Sequence, residues 1–505
     1  MTTIHPHNYI QNYEAGVAAL KDRPNDRQLQ HQIVLALARA GALTFAISEY
    51  ERFGLSDIKN DEDIMALNGR LSKDLYLRSS GREALKYAND AAQKYEAAFQ
   101  TSLGYYSGVN SATMALMADL PKERVMARIE AIEALLPVSQ ETTPTDHYFV
   151  EATRAECFLL RGERDKAVAA LHGAIDFDPL NYAAHASTLK QFMMIATKRE
   201  DAVGWLSGFR PPRPLHYAGH IRLNLTESEE AEMRITISDA LQQKDVGFGF
   251  GALAAGGDIL FAEGLLEQGA ELHIILPCEP DLFKCESVMP FGQGWEQRFD
   301  DCFSQASSVR ILTQDADWPD KKLNRLSGLS AMGKSILKGQ SLSVEPLQIL
   351  ILTETDSPSY TATHAQDWAD NAFSQFRVSA GVIRPITLPP SSSDMAISVS
   401  LKSDNQSQLE TYETLEAALA SATLIKRGRK SAQIALHLNI EGETTDEILD
   451  QLLQGGAPQS VLATEAFATV LAAVAADKYK ITYAGQIEQK SERRLRCYTI
   501  QPLIY

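Results

Sequence analysis

No stretch of this chain reaches the roughly 18 to 20 consecutive apolar residues of a membrane span, which excludes a transmembrane helix as a reading of the sequence. The N-terminus, MTTIHPHNYIQNYEAG, has no basic start followed by an apolar core. No signal peptide is therefore expected, and the protein is read as cytoplasmic. Cysteine is scarce: Cys157, Cys278, Cys285, Cys302 and Cys497 are scattered, odd in number and form no CxxC. That excludes a disulfide framework and a cysteine-based metal site, and implies reduced thiols. Basic residues are outnumbered, 48 Lys and Arg against 65 Asp and Glu, and the net charge of −17 argues against a nucleic-acid partner. The short basic runs at 426–430 (KRGRK) and 490–496 (KSERRLR) do not alter that balance.

What is present is the composition of a soluble globular protein, with 45% apolar and 22% charged residues. At 505 residues it is too long for one ordinary core, and the pattern divides it into three expected domains, 1–210, 211–390 and 394–505. The first is rich in Ala, Leu, Glu and Arg at helical spacing and shows almost no strand-like alternation. Residues 146–179, DHYFVEATRAECFLLRGERDKAVAALHGAIDFDP, form its clearest unit. Ala152, Ala155 and Leu159 share one face, Gly162 permits a tight turn, and Ala167, Leu171 and Ala174 face back before Pro179. This is the 34-residue tetratricopeptide pattern. A weaker copy spans 31–55 with Gly41 at its turn, while Gly104, Gly108 and Asn110 break the period at 95–117, Asn110 as a helix cap. A helical-pair solenoid follows, since one such unit cannot bury its own face.

Together with that unit, ALNGRLSKD (66–74) and GYYSGVNSATMALM (104–117) resemble the TPR-S domain of bacterial signalling proteins, also found in the central region of the apoptosis signal-regulating kinases. The likeness covers residues 10–225 and closes on PPRPLHYAGHI (211–221); it implies a scaffold or protein-docking surface. His216 and His220 in that closing segment are expected to make local hydrogen bonds; no carboxylate or cysteine is spaced to complete a metal site with them.

Past Thr226 the pattern becomes alternating strand and helix, which predicts a mostly parallel sheet covered on both faces, a Rossmann-like α/β domain. Strands are expected at 246–250, 272–276, 309–313, 347–353 and 382–388, and helices at 229–243, 258–268, 295–306, 326–337 and 364–376. Its most informative stretch is VGFGFGALAAGGDILFAEGLLEQGAELHIILP (246–277), a strand, a glycine-rich turn, a helix and a second strand. Backbone N–H groups at such a turn suit an anion, although GxGxxG is not matched. The alternative is that the glycines serve packing alone. Four loops, 249–258, 277–294, 313–318 and 353–363, are expected to converge at the carboxyl ends of the strands.

The stretch also resembles the nucleotide-binding SLOG superfamily, which includes DNA-uptake factors and cytokinin-releasing phosphoribohydrolases. The resemblance implies a nucleotide-derived ligand, with Gly249, Gly251, Gly256 and Gly257 lining the phosphate turn. Asp258 either reaches a ribose or caps the helix, and Glu263 lies one turn further in, an acid/base candidate if buried and a solvated glutamate otherwise. The family's second motif falls at 357–368, SPSYTATHAQDW, where Thr361 is retained and Tyr360 replaces a glycine, which argues against hydrolase activity more than against binding. Trp295 and Arg298 either contact a ligand or pack locally.

The last domain resembles a shortened class III nucleotide cyclase through ALHLNIEG, GGAPQSVLATEAFA and YAGQIEQKSERRLRCYTI. Such cyclases hold two metal ions with paired aspartates. Here Ser398, Ser400 and Lys402 stand where the first acid belongs, Asp404 comes too late, and the segment for the second is missing between Ser421 and Ser431. No metal is expected, and dimerisation or ligand sensing is the role left. The chain thus reads as a signalling scaffold with a protein partner on its helical domain, a nucleotide-like ligand in the α/β domain, no bound cofactor and a homodimer through its end. The alternative is a nucleotide-processing enzyme using Glu263 or Asp258 on an N-glycosidic bond, with an active cyclase behind it.

Overall fold

The computed structural model describes residues 9–39, 43–136, 144–221, 223, 225–313, 321–352, 359–369, 371–379, 382–385, 398–405, 408–440, 445–455, 460–488 and 494–503. The chain divides into two compact units, Met1–Pro211 with Ala484–Gln486, and Pro212–Tyr483 with Ile487–Tyr505.

The first unit is helical, as its alanine-rich periodicity predicts. Its helices are α1 (Tyr9–Asp22), α2 (Arg27–Arg39), α3 (Leu43–Arg52), α4 (Glu62–Tyr76), α5 (Gly81–Ser102), α6 (Tyr105–Met117), α7 (Lys122–Glu133), α8 (Pro144–Arg161), α9 (Arg164–Phe177) and α10 (Tyr182–Lys198). Successive helices pack as hairpins, α4 on α5 and α8 on α9, while α4, α6, α8 and α10 form a row of neighbours. Small residues make the close crossings possible. Ala88, Ala91, Ala92 and Ala98 of α5 are buried, and the Cα of Gly69 lies against the Tyr95 ring, where a Cβ would come within 2.7 Å. Gly162 turns the chain between α8 and α9 at φ +86°, a conformation that a side chain disfavours. Asn110 is no cap; it is buried in the middle of α6. Gly41, the expected turn of the weaker copy, lies outside the described residues.

The second unit carries two sheets. It begins with β1 (Arg213–Gly219), followed by α11 (Glu227–Gln243), β2 (Val246–Gly251), α12 (Gly257–Glu267) and β3 (Glu271–Leu276). Next come α13 (Pro280–Ser287), α14 (Trp295–Gln305), β4 (Ser308–Ile311), α15 (Lys321–Leu342) and β5 (Leu347–Ile351). The sheet ends with α16 (Tyr360–Ala369), β6 (Ser374–Ser379) and β7 (Val382–Pro385). Strand order is β4-β3-β2-β1-β5-β6-β7, parallel throughout except for the antiparallel β6–β7 pair. The central strand β1 is missed by sequence periodicity. Pro212 and Pro214 give it the look of a linker, yet Pro214 sits at its start, beside a register irregularity, where the missing N–H is tolerated. The expected helix 364–376 is also corrected. Helix α16 ends at Ala369, the chain reverses at Ala372 (φ +56°), and Phe376 belongs to β6.

The second sheet is mixed. It contains β8 (Val399–Ser403), β9 (Glu410–Tyr412), β10 (Ile434–Leu438), β11 (Val461–Thr464), β12 (Tyr479–Glu488) and β13 (Arg494–Pro502) in the order β12-β13-β11-β10-β8-β9. Helices α17 (Leu415–Gly428), α18 (Thr445–Gly455) and α19 (Glu465–Ala475) connect them. The expected helix 409–422 is split, because residues 410–412 pair with β8 and the helix starts only after the Thr414 cap. Helix α19 lies against α15 so closely that a Cβ on Gly333 would stand 1.8 Å from the Thr469 carbonyl oxygen. Asn371 adds a side-chain hydrogen bond to the Ala473 carbonyl.

Candidate functional site

The glycine-rich turn after β2 lies at the carboxyl end of the parallel sheet, pressed onto the end of β1. Gly257 and Gly219 meet backbone to backbone; a Cβ on either would fall within 2.5 Å of the other's Cα. Gly256 has φ +97°, with the His220 carbonyl 2.7 Å from its missing Cβ. Gly251 is packed under the Tyr217 ring, and Gly249 lies inside β2 against Leu265, so these two serve the strand's packing and not the bend.

Asp258 holds the turn together. It is buried, and it is not the helix cap, a position that falls to Gly256. Its Oδ1 accepts from the Gly219 N–H at 2.7 Å and its Oδ2 from the Ala254 N–H at 3.2 Å. Burial pushes its pKa up to about 7 against the pull of these two backbone donors. Two more amides of the turn are engaged, Ala255 N–H to the Ser287 carbonyl and Gly257 N–H to the His220 carbonyl. The turn is thus tied to β1 and to α13 by its own backbone.

One helical turn on, Glu263 is largely buried and ion-paired. Arg298 donates to both its oxygens at 2.7 Å, and Arg234 donates to Oε2 at 2.6 Å. Glu230 bridges both arginines, and the Arg298 guanidinium lies 4.0 Å over the Trp295 ring. The pairing of Trp295 with Arg298 is therefore internal. Three charge-assisted hydrogen bonds from two arginines thus hold this carboxylate. Thr361 is buried in the first turn of α16, on the β5 side of β1; the Ser359 hydroxyl accepts from the Ala362 N–H there. The expected loop segments 314–318 and 353–358 lie outside the described residues. His216 is buried within β1, where the Gln348 amide meets its Nδ1 at 2.9 Å, and burial holds its pKa well below the usual range. Among the described residues no group of His, Cys, Asp or Glu is arranged to hold a metal ion.

The motifs of the helical unit also converge. Lys73 of α4 donates to the side-chain oxygens of Asn110 on α6 (2.9 Å) and Gln191 on α10 (2.6 Å). Gln191 passes the link to buried Glu156 of α8 at 2.7 Å, which also accepts from Thr113 at 2.5 Å. Burial raises the Glu156 pKa and lowers that of Lys73. Four neighbouring helices are thus joined through one polar chain whose members the quoted motifs partly contain.

In the second sheet, Lys402 of β8 pairs with Asp446 (2.8 Å) and Asp450 (2.6 Å) of α18, and Asp404 pairs with Arg429. Ser398 accepts from the Asn439 amide at 3.0 Å. A second cluster has no counterpart in the sequence reading. Glu465, the first residue of α19, receives Lys334 of α15 at 2.7 Å, Arg496 of β13 at 3.0 Å and Arg310 of β4 at 3.3 Å. Burial opposes its ionisation, but the charges of Lys334, Arg310 and Arg496 prevail and hold the carboxyl well below the usual range. The four residues come from elements far apart in the chain, so no spacing rule could have found them.

The family model of TPR-S, Tetratricopeptide Repeats-Sensor, matches residues 10–115. No curated protein matches the chain. Among solved structures, a thermophilic TPR protein of Thermus thermophilus is similar at 15% identity, over 38% of this chain and 91% of that one, with a TM-score of 0.29. The N-terminal region is TPR-like, and a domain of this type suggests protein–protein interaction or a scaffold role.

Proposed function

We propose that the protein is a signalling scaffold. The TPR-like unit docks a protein partner, the α/β part senses a nucleotide-derived ligand, and residues 394–505 form a degenerate cyclase-like module serving dimerisation or sensing. The observation that supports sensing is the strand order. It runs away from β1 in both directions, β2 to β4 on one side and β5 to β7 on the other. The carboxyl end of such a central strand is where open parallel sheets bind ligands. Gly256, Gly257 and Asp258 stand on one side of that point and Thr361 on the other. Gly249 and Gly251 lie within β2, the strand that leads into the turn. Asp258 couples the turn to β1, so a ligand that disturbs its two hydrogen bonds would act on the central strand.

The ion pairs of Glu263 favour sensing over cleavage of an N-glycosidic bond. The test is thermal melting of the full chain with a panel of nucleotides and nucleotide sugars. A saturable rise in Tm that Asp258→Ala removes is expected, since a ligand that binds only the native state stabilises it. A flat response across the panel would sink the sensing reading. Release of free base or ribose phosphate, abolished in Glu263→Gln, would replace it with the enzyme.

A further inference from the structure

The cluster around Glu465 carries more positive charge than its own fold uses. Among the described residues, three cations surround one carboxylate, an excess of two charges in a half-buried place where water screens poorly. Lys334 is consumed, since its side chain is only 15% exposed and its ammonium faces Glu465. The two arginines are not. Each side chain is 43% exposed, and Arg310 reaches Glu465 through Nε and Arg496 through Nη1. Glu465 Oε2 accepts no aligned hydrogen bond. The N-terminal end of the 11-residue helix α19 adds its partial positive charge at the same point.

We propose that Arg310 and Arg496 form a binding site for a phosphate group of a small molecule, with Glu465 and Lys334 holding the two guanidinium groups in place. A phosphate monoester carries about −1.5 to −2 charges near neutrality, which matches the excess of two, whereas a carboxylate would leave one charge unpaired. Guanidinium forks suit its oxygens in pairs. The site lies where α15 and β4 of the first sheet meet α19 and β13 of the second, so its occupant would bridge the two sheets of this unit. It is separate from the glycine turn and does not depend on the sensing reading.

The experiment is calorimetric titration of the full chain with pyrophosphate and with ATP at constant ionic strength, adenosine serving as control. Saturable binding of pyrophosphate is expected, with Arg310→Gln and Arg496→Gln each weakening it about tenfold or more, the loss of roughly one charge-assisted contact. Equal affinity for pyrophosphate and ATP would identify the phosphate alone as the ligand, and tighter ATP a nucleotide; both support the site. Absence of saturable binding, or binding unchanged in Arg310→Gln and in Arg496→Gln, overturns it. Arg310→Gln decides alone should Arg496→Gln fail to fold, because Arg310 lies on the edge strand β4 and is 43% exposed.

Discussion

Two buried carboxylates in the second unit have opposite fates. Among the described residues, Asp258 accepts hydrogen bonds from two backbone N–H groups. Glu465 is surrounded by three cations. Burial disfavours the charge at both places. At Asp258 it prevails and raises the pKa to about 7, so the carboxyl is about half-protonated near pH 7; at Glu465 the cations win and the carboxyl stays ionised. A carboxylate held by dipoles can change state under mild conditions, whereas one held by full charges serves as a fixed post. That is why the first suits a sensing element and the second suits a frame on which arginines are displayed.

The largest effect should come from removing the fixed charge. Glu465→Gln leaves Lys334 buried without an anion and should cost about 3–5 kcal/mol, the usual loss when one partner of a buried pair is taken away. Urea denaturation at pH 7 measures it. A loss below about 1 kcal/mol would show that the cluster is solvated and would dissolve the contrast.

Close behind is Asp258→Asn, which cannot accept at both oxygens and should cost about 1–3 kcal/mol through an unsatisfied backbone donor. Its pH signature is sharper than its size. The folded protein holds a proton on Asp258 that the unfolded chain has lost between the ordinary value of 3.8 and about 7. This contribution to stability is therefore full below 3.8 and lost as pH rises through about 7. The parent's advantage over Asp258→Asn should shrink between about pH 4 and pH 7. Glu465 has the opposite sign: its folded pKa is lowered, so its contribution is present above the unfolded value of 4.5 and lost as pH falls below it. Denaturation midpoints of parent and both variants across about pH 2–8 test the two slopes together.

Gly333→Ala probes the frame without touching a charge. Its Cβ would meet the Thr469 carbonyl, so α15 and α19 must part, at about 1–3 kcal/mol of overpacking strain. It should also weaken pyrophosphate binding if the arginines depend on that contact. The smallest effect is expected for Arg234→Gln. Arg234 is one-third exposed, Arg298 still holds Glu263 at both oxygens, and the cost should stay under about 1 kcal/mol by thermal melting.

Much of the architecture was legible from local pattern. The alanine and leucine spacing of the front half, Gly162 at its turn, and the strand–turn–helix–strand of 246–277 all appear where periodicity predicts, because each depends on residues within a few positions of one another. The failures share a cause as well. β1 is hidden by prolines, and what makes it a strand is the pairing with β2 and β5 on its two sides. Helix α16 stops short because residues 374–379 are claimed by β5.

At the candidate site, the small residues that bend the chain after β2 and the acid that follows them are legible in the sequence alone. What they meet depends on the fold: Gly219 against Gly257, the β1 N–H on Asp258, two arginines on Glu263. It alone assembled Arg310, Lys334 and Arg496 around Glu465. Backbone periodicity is a short-range property that a sequence carries openly. The balance of desolvation against charge that sets a buried carboxylate's state depends on which distant groups the fold brings within a few ångströms.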